Sequence, residues 1–418
     1  MQKLRIGLIG LGTVGCGVYK TLENERNVEI MKIAVKNINK PRSVDVPREM
    51  LTDNPIEVAT NPDIDVVVEL IGGVDAAWQY ISTAIKNGKH IVTANKELLA
   101  KKGEELFNLA EEHNCVVLYE AAIAGGIPII MPIKTILAGN KIRKIQAILN
   151  GTTNYILTKM DVNNASYEDV LKEAQELGYA ESDPTGDVEG FDAAYKITTL
   201  ATIAFKTRIK LENVYREGIT KIRREDMIRA NELGYKIKLI ANATIDENNN
   251  ADVRVHPMLV SKNTLLAHTD YVTNAVEMSG HPIGSIVLTG PGAGEFPTAS
   301  SVVGDILAIQ KEFGTTDYLL PMMRCHHNSK ANPVNINDTY NKYYISITAP
   351  NAIGVIAKIG TICANKNISL SSILQKGVSS DNTADITVIT ERCQEKLIRE
   401  VVNELNDCKV NSLIRVAE

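Results

Sequence analysis

Between Gly178 and Lys196 the chain reads G-Y-A-E-S-D-P-T-G-D-V-E-G-F-D-A-A-Y-K. Five carboxylates (Glu181, Asp183, Asp187, Glu189 and Asp192) and three glycines in so short a span make poor core and poor linker. They suit a pocket for a small, positively charged polar molecule. Asp192 and Lys196 are i and i+4 on one helix face, in the favourable acid-before-base order. On an exposed helix such a pair contributes about 0.3–0.5 kcal/mol and no chemistry. The surrounding run A-A-Y-K-I-T-T-L-A-T-I-A-F is too apolar for an exposed face. A lysine there, beside several acids, reads as a proton-transfer group.

A second constellation stands at the start. Gly10-Leu11-Gly12-Thr13-Val14-Gly15 follows a buried-strand run and opens a helix. In that context the glycines allow a tight turn, and the helix N-terminus receives a dinucleotide pyrophosphate. Beyond the second strand, around Ala34-Val35-Lys36-Asn37, the acid that would grip ribose hydroxyls is missing, and Lys36, Lys40 and Arg42 follow. Cations there favour a 2′-phosphate, so NADP is expected, with NAD as the alternative. Thr93-Ala94-Asn95-Lys96 ends a strand, and Asn95 can cap the helix that follows. A cation in that first turn opposes the helix dipole, which gives Lys96 a functional reading over a plain surface one. Glu120-Ala121-Ala122-Ile123-Ala124-Gly125-Gly126-Ile127-Pro128 offers one acid beside small residues; from spacing alone, packing is favoured over ligation of a monovalent cation. Cys325-His326-His327 reads as a surface loop rather than a metal site.

The elements that must hold these residues change grammar along the chain. Strands over 3–9, 28–35, 66–71, 90–93 and 115–119 alternate with helices over 75–87 and 97–113. That predicts an α/β, Rossmann-type doubly wound parallel sheet within residues 1–140. Residues 141–320 predict an α+β substrate domain with a mostly antiparallel sheet. Its strands fall near 141–149, 214–219, 236–245, 252–259, 271–279 and 284–289, its helices over 167–177, 188–206 and 225–233. A helix over 298–312 is expected to return to the first domain. Residues 321–340 read as a linker, and 341–418 spell βαββαβ, a small ferredoxin-like unit.

Bulk properties exclude whole classes. A net charge of −5 over 418 residues leaves no basic footprint for nucleic acid. No apolar run is long enough to span a bilayer. The opening M-Q-K-L-R-I-G-L-I-G moves straight into a strand, so no signal peptide is expected. Six scattered cysteines without C-x-x-C spacing suit reduced thiols. A cytoplasmic location follows as the expectation.

The stretch from Ala174 to Lys196 resembles the signature of homoserine dehydrogenases. The similarity extends to the glycine fingerprint, T-A-N-K, E-A-A-I-A-G-G-I-P, N-G-T-T-N-Y-I-L at 150–157 and G-P-G-A-G-E-F-P-T-A at 290–299. The C-terminal unit resembles an ACT domain, an amino-acid-sensing module, although Asn351 replaces its usual acid and Ile353 a common proline. The resemblance implies reversible NAD(P)H-dependent reduction of L-aspartate 4-semialdehyde to L-homoserine, towards threonine, methionine and isoleucine. It implies Lys196 as proton donor and acceptor, with Lys96 as a second active-site lysine. Glu181, Asp192, Asp187 and Tyr179 fall at substrate positions. Leu11, Thr13, Val14, Thr93, Lys96, Gly178 and Gly294 fall at cofactor positions. Glu120, Ile123, Gly125 and Ile127 fall at a sodium site, the last three through carbonyls. It further implies a monofunctional enzyme, a homodimer or dimer of dimers, and an effector such as threonine near Asn351 and Gly354. Removal of the chain from Tyr340 onward is then expected to leave turnover intact. Two other readings stay open: another NADP-dependent dehydrogenase of an amino-acid-derived aldehyde, and a non-catalytic amino-acid sensor.

Overall fold

The computed structural model describes residues 3–312, 325, 327, 329–378 and 380–417. By contacts the chain falls into two compact units. One comprises Met1–Ile145, Asp192–Asn213 and Thr273–Ala331; the other comprises Gln146–Phe191, Val214–Val272 and Asn332–Glu418. Parts of the expected linker (321–324, 326 and 328) lie outside the described residues.

The first unit is built on six strands: β1 (Leu4–Ile9), β2 (Val28–Ala34), β3 (Leu51–Thr52), β4 (Val66–Glu69), β5 (His90–Thr93) and β6 (Val117–Leu118). Their spatial order is β3-β2-β1-β4-β5-β6, all pairs parallel. This is the doubly wound dinucleotide-binding order, whose switch point lies between β1 and β4. Strands such as V-V-V-E are almost wholly apolar because helices cover both faces. Val66, Val67 and Val68 are indeed fully buried. The helix Glu295–Glu312 packs on the fingerprint helix Thr13–Leu22, adding Val302, Ile306 and Ile309 to the core around Leu8 and Val18. A Cβ on Gly17 would come within 2.7 Å of the Glu295 carbonyl, so close packing of these helices requires a glycine there. A hairpin of Thr273–His281 and Gly284–Pro291 completes this unit.

In the second unit Tyr235–Ile245 and Asn250–Ser261 form a long antiparallel pair. The C-terminal βαββαβ is present as Tyr340–Pro350, Val355–Asn365, Leu370–Val378, Thr383–Thr390, Glu395–Glu404 and Lys409–Val416. Its four main strands lie in the order fourth, first, third, second. The fourth runs parallel to Asn250–Ser261, pairing Met258 with Arg415 and Leu259 with Val416, so one mixed sheet runs through both parts.

Three local readings are corrected. The expected strand 214–219 shrinks to Tyr215–Arg216, because the backbone at Gly218 is pressed against Val188 and a Cβ there would meet its carbonyl at 2.4 Å. The expected helix 188–206 is two helices, Thr185–Val188 and Phe191–Phe205, interrupted at Gly190 with φ +78°. N-G-T-T-N-Y-I-L, assigned no element from sequence, starts the helix Gly151–Asn163. The Asn150 side chain caps it by accepting from Thr153 N at 2.8 Å.

Candidate active site

The nucleotide end is shaped by backbone crowding. Gly10 has φ +112°, and a Cβ there would press on the Leu70 carbonyl at 2.9 Å. A Cβ on Gly15 would stand 2.4 Å from the Gly10 carbonyl. Only glycines fit, and the result is a tight turn from β1 into a helix whose first turn, at Thr13 and Val14, carries no acid. Leu11 is buried beneath it, while a Cβ on Gly12 would meet nothing within 4 Å. Such a terminus accepts a pyrophosphate. Lys36 is exposed at the end of β2. Arg42 donates to the carbonyls of Asn37 at 2.7 Å and Lys40 at 2.8 Å. The guanidinium therefore shapes its own loop, a role that sequence reading missed. Gly294, with φ +136°, leads into the Glu295–Glu312 helix.

At the carboxyl end of β5 the Thr93 hydroxyl donates to Glu69 at 2.7 Å and accepts from Asn95 N at 3.0 Å. Asn95 caps the Lys96–Glu112 helix by accepting from Leu98 N at 3.0 Å, as its sequence position suggested. That cap sets Lys96 in the first helical turn, where its ammonium pairs with Asp192 Oδ1. Lys196 Nζ lies 2.7 Å from Asp192 Oδ2. The two lysines that the sequence singles out, Lys96 and Lys196, thus share the buried Asp192 carboxylate. Asp192 and the Lys196 ammonium are shielded, while the Lys96 side chain is 43% exposed. Burial alone would push the Asp192 carboxyl up, but Lys196 and then Lys96 overrule it and hold it well below the usual carboxylate range. The arrangement is one fixed anion flanked by two proton-bearing amines.

Tyr179, Glu181 and Asp187 belong to the second unit. Gly178 (φ +76°) ends the Tyr167–Glu176 helix and turns the chain into this segment. Glu181 is exposed. Asp187 accepts from Asn150 Nδ2 at 2.7 Å, and the Tyr179 ring lies 4.8 Å from that of Tyr155. Asn150 and Tyr155 come from N-G-T-T-N-Y, so that motif braces two substrate candidates. Spacing could not reveal this, since the contact spans 37 residues.

Two of the four suggested sodium ligands, Glu120 and Gly125, accept hydrogen bonds from the protein. Glu120 Oε1 accepts from Ile129 N at 2.5 Å and Ile130 N at 2.8 Å, and its Oε2 from Met131 N at 2.7 Å. It therefore caps the Ile130–Lys134 helix. The Gly125 carbonyl accepts from Ser301 Oγ at 2.6 Å. Ile123 and Ile127 are buried beside them. Asp305 accepts from Glu120 N at 2.8 Å; burial, then the Glu120 charge, pushes its carboxyl well up. Among the described residues no three His, Cys, Asp or Glu side chains form a metal-holding group. His326 lies outside the described residues, while Cys325 takes contacts from Tyr119 and Lys134 rather than standing in a free loop.

In the C-terminal part Asn351 and Gly354 line a cavity of about 190 Å3 together with Ala352, Val355, Gln375 and Ile386. Gly354 has φ +93° and begins the Val355–Asn365 helix. Ile353 and Ile356 are exposed nearby.

Comparison with known proteins gives three matching family models. "Homoserine dehydrogenase, NAD binding domain" matches residues 10–120, "Homoserine dehydrogenase" 128–307 and "ACT domain" 343–410. The chain is 40% identical over 430 residues to a homoserine dehydrogenase of a Synechocystis species, covering 99% of both. It is 39% identical to that of Bacillus subtilis, covering 98% of this chain and 96% of the relative. A crystal structure of a homoserine dehydrogenase from Thiobacillus denitrificans superposes over 100% of both chains with a TM-score of 0.91 and 38% identity. A hyperthermophilic archaeal homoserine dehydrogenase in complex with NADPH superposes over 75% of this chain and 99% of its own, with a TM-score of 0.63 and 26% identity. With its dinucleotide-binding sheet, its paired lysines on a buried aspartate and these full-length likenesses, the chain belongs to the homoserine dehydrogenase family.

Proposed function

We propose that the chain interconverts L-aspartate 4-semialdehyde and L-homoserine with Lys196 as the proton carrier. The observation that carries this reading is the buried Asp192 carboxylate with Lys196 at 2.7 Å and Lys96 on its other oxygen. A bound reduced nicotinamide supplies the hydride for the aldehyde carbon. Lys196, as an ammonium, gives one proton to the carbonyl oxygen, and its amine recovers it when homoserine is oxidised. Asp192 fixes that ammonium, and the Lys96 charge favours a developing alkoxide. Glu181, Asp187 and Tyr179 take the substrate's ammonium and polar end, which suits their carboxylate-rich segment. The missing acid after β2 supports NADP over NAD. The cavity at Asn351 and Gly354, beside exposed Ile353 and Ile356, supports an amino-acid effector such as threonine held where a second copy completes the pocket. A homodimer in the cytoplasm is the setting that agrees with this.

Initial rates with aspartate semialdehyde and each reduced cofactor test the reading. Lys196→Ala should lose about 10²–10⁴-fold in kcat while keeping cofactor affinity. Homoserine oxidation should accelerate towards alkaline pH, because it needs the neutral amine. A near-normal Lys196→Ala rate, or oxidation fastest below neutrality, assigns the proton to another group.

A further inference from the structure

Among the fully buried carboxylates outside these roles is that of Glu69. Glu69 is the last residue of β4, paired in the sheet with Ile9 of β1 and Thr93 of β5. It is 0% exposed. Acids are almost never buried so completely without strong partners. Its Oε1 accepts from Ile71 N at 2.8 Å and Gly72 N at 3.1 Å, and its Oε2 from the Thr93 hydroxyl at 2.7 Å. The next contacts close a ring. Thr93 Oγ1 accepts from Asn95 N at 3.0 Å, and Asn95 Nδ2 donates to the Gly73 carbonyl at 2.6 Å. Gly73 follows Gly72, which returns to Glu69. Gly72 and Gly73 have φ +71° and +73°, a left-handed path open to glycine, and Glu69 and Asn95 bind this loop at its two ends. The ring sits at the switch point, where open α/β sheets place their ligands. Its far member, Asn95, caps the helix that aims Lys96 at Asp192.

We infer that Glu69 is a positioning residue. Through Thr93 and Asn95 it sets the start of the Lys96 helix, and through Ile71 and Gly72 it sets the loop that follows β4 at the switch point. The chemistry of the choice is specific. An ionised carboxylate is acceptor-only and takes three converging donors, whereas an amide in its place directs N–H groups at one of them. Thr93 then has no acceptor for its proton, and the Asn95 cap shifts. A displacement of about 1 Å at a catalytic group can cost on the order of 10²-fold in rate.

This inference rests on the role proposed for Lys96, and the test separates the two. Glu69→Gln, Glu69→Ala, Thr93→Val and Lys96→Ala are measured singly. Glu69→Gln and Thr93→Val are also each combined with Lys96→Ala. Thermal unfolding and cofactor titration accompany kcat and KM. Lys96→Ala alone tests the Lys96 role: near-normal turnover removes that role whatever Glu69 does. With Lys96→Ala impaired, Glu69→Gln is expected to lower kcat about 10–100-fold. It should cost less than about threefold in the Lys96→Ala background, because its effect travels through Lys96. Thr93→Val should reproduce that pattern, and it carries the test if Glu69→Ala does not fold. A Glu69→Gln enzyme within twofold of wild type overturns the inference. So does a loss of equal factor with and without Lys96, which marks Glu69 as general packing.

Discussion

At the scale of single residues, the proposed chemistry turns on Asp192. Replacing it with Asn keeps the shape but leaves two amines without their shared anion. Breaking a buried pair of this kind costs about 3–5 kcal/mol, and the Lys96 share is discounted because that side chain is 43% exposed. The pH dependence has a definite sign. Asp192 titrates well below its unfolded value of about 3.9, so its contribution is fully present above that value and is lost as pH falls towards the folded one. Urea unfolding of wild type and Asp192→Asn should show the widest stability gap near neutrality and a narrower one at about pH 3. A gap that widens on acidification would contradict the depressed carboxylate. Turnover of Asp192→Asn should fall in both directions, since each needs Lys196 aimed at the same oxygen. Asp192 and Lys196 were legible in the sequence because their spacing is local and their helix too apolar to be a surface. Glu69 carried a similar signal, one acid ending V-V-V-E. It was passed over because all three of its donors are placed by the loop fold and the neighbouring strand.

Elements with strong periodicity were legible to within a few residues, and the reasons for the misses are local. The β-strands of the first unit read as apolar runs because helices bury both faces. The Pro55–Thr60 helix carried its own start signal, an Asn54 cap followed by proline, but is too short to show a period. In the loop after β2, charge reads the cations as ligands for a 2′-phosphate, and the structure adds that Arg42 binds the carbonyls of Asn37 and Lys40. The expectation divides accordingly. Lys36→Ala should raise the KM for NADPH severalfold with little change for NADH, as a lost charge contact to phosphate. Arg42→Ala should weaken both cofactors, because the loop that borders the adenosine end loses its brace. Equal effects of Lys36→Ala on the two cofactors would remove Lys36 from phosphate recognition.

For the whole molecule, the second unit revises what removing the C-terminal module does. From sequence, 341–418 reads as an appendage after a linker. Its last strand instead pairs with Asn250–Ser261. Arg415 is 2% exposed and grips Glu395 through two nitrogens at 2.8 and 2.5 Å, while its third reaches Glu217 at 2.6 Å. Tyr343 adds a 2.7 Å bond to Glu395, and Arg399 joins the same carboxylate. Glu217 lies just before Gly218 and Ile219, whose backbone packs on Val188 within the carboxylate-rich segment. A chain ending before Tyr340 therefore loses one of the two main sheet neighbours of Asn250–Ser261 and the cation held by Glu217. Truncation is expected to cost the second unit its cooperative stability rather than yield a deregulated but otherwise normal enzyme. The sharper tool is Arg415→Met in the full chain. It leaves Glu395 buried with one cation fewer and should cost about 3–5 kcal/mol, read as a lower unfolding midpoint. Loss of turnover should follow as Glu217 and the segment behind it loosen. A truncated chain that stays monodisperse, melts within a few degrees of the full protein and turns over normally would return the module to the status of an appendage.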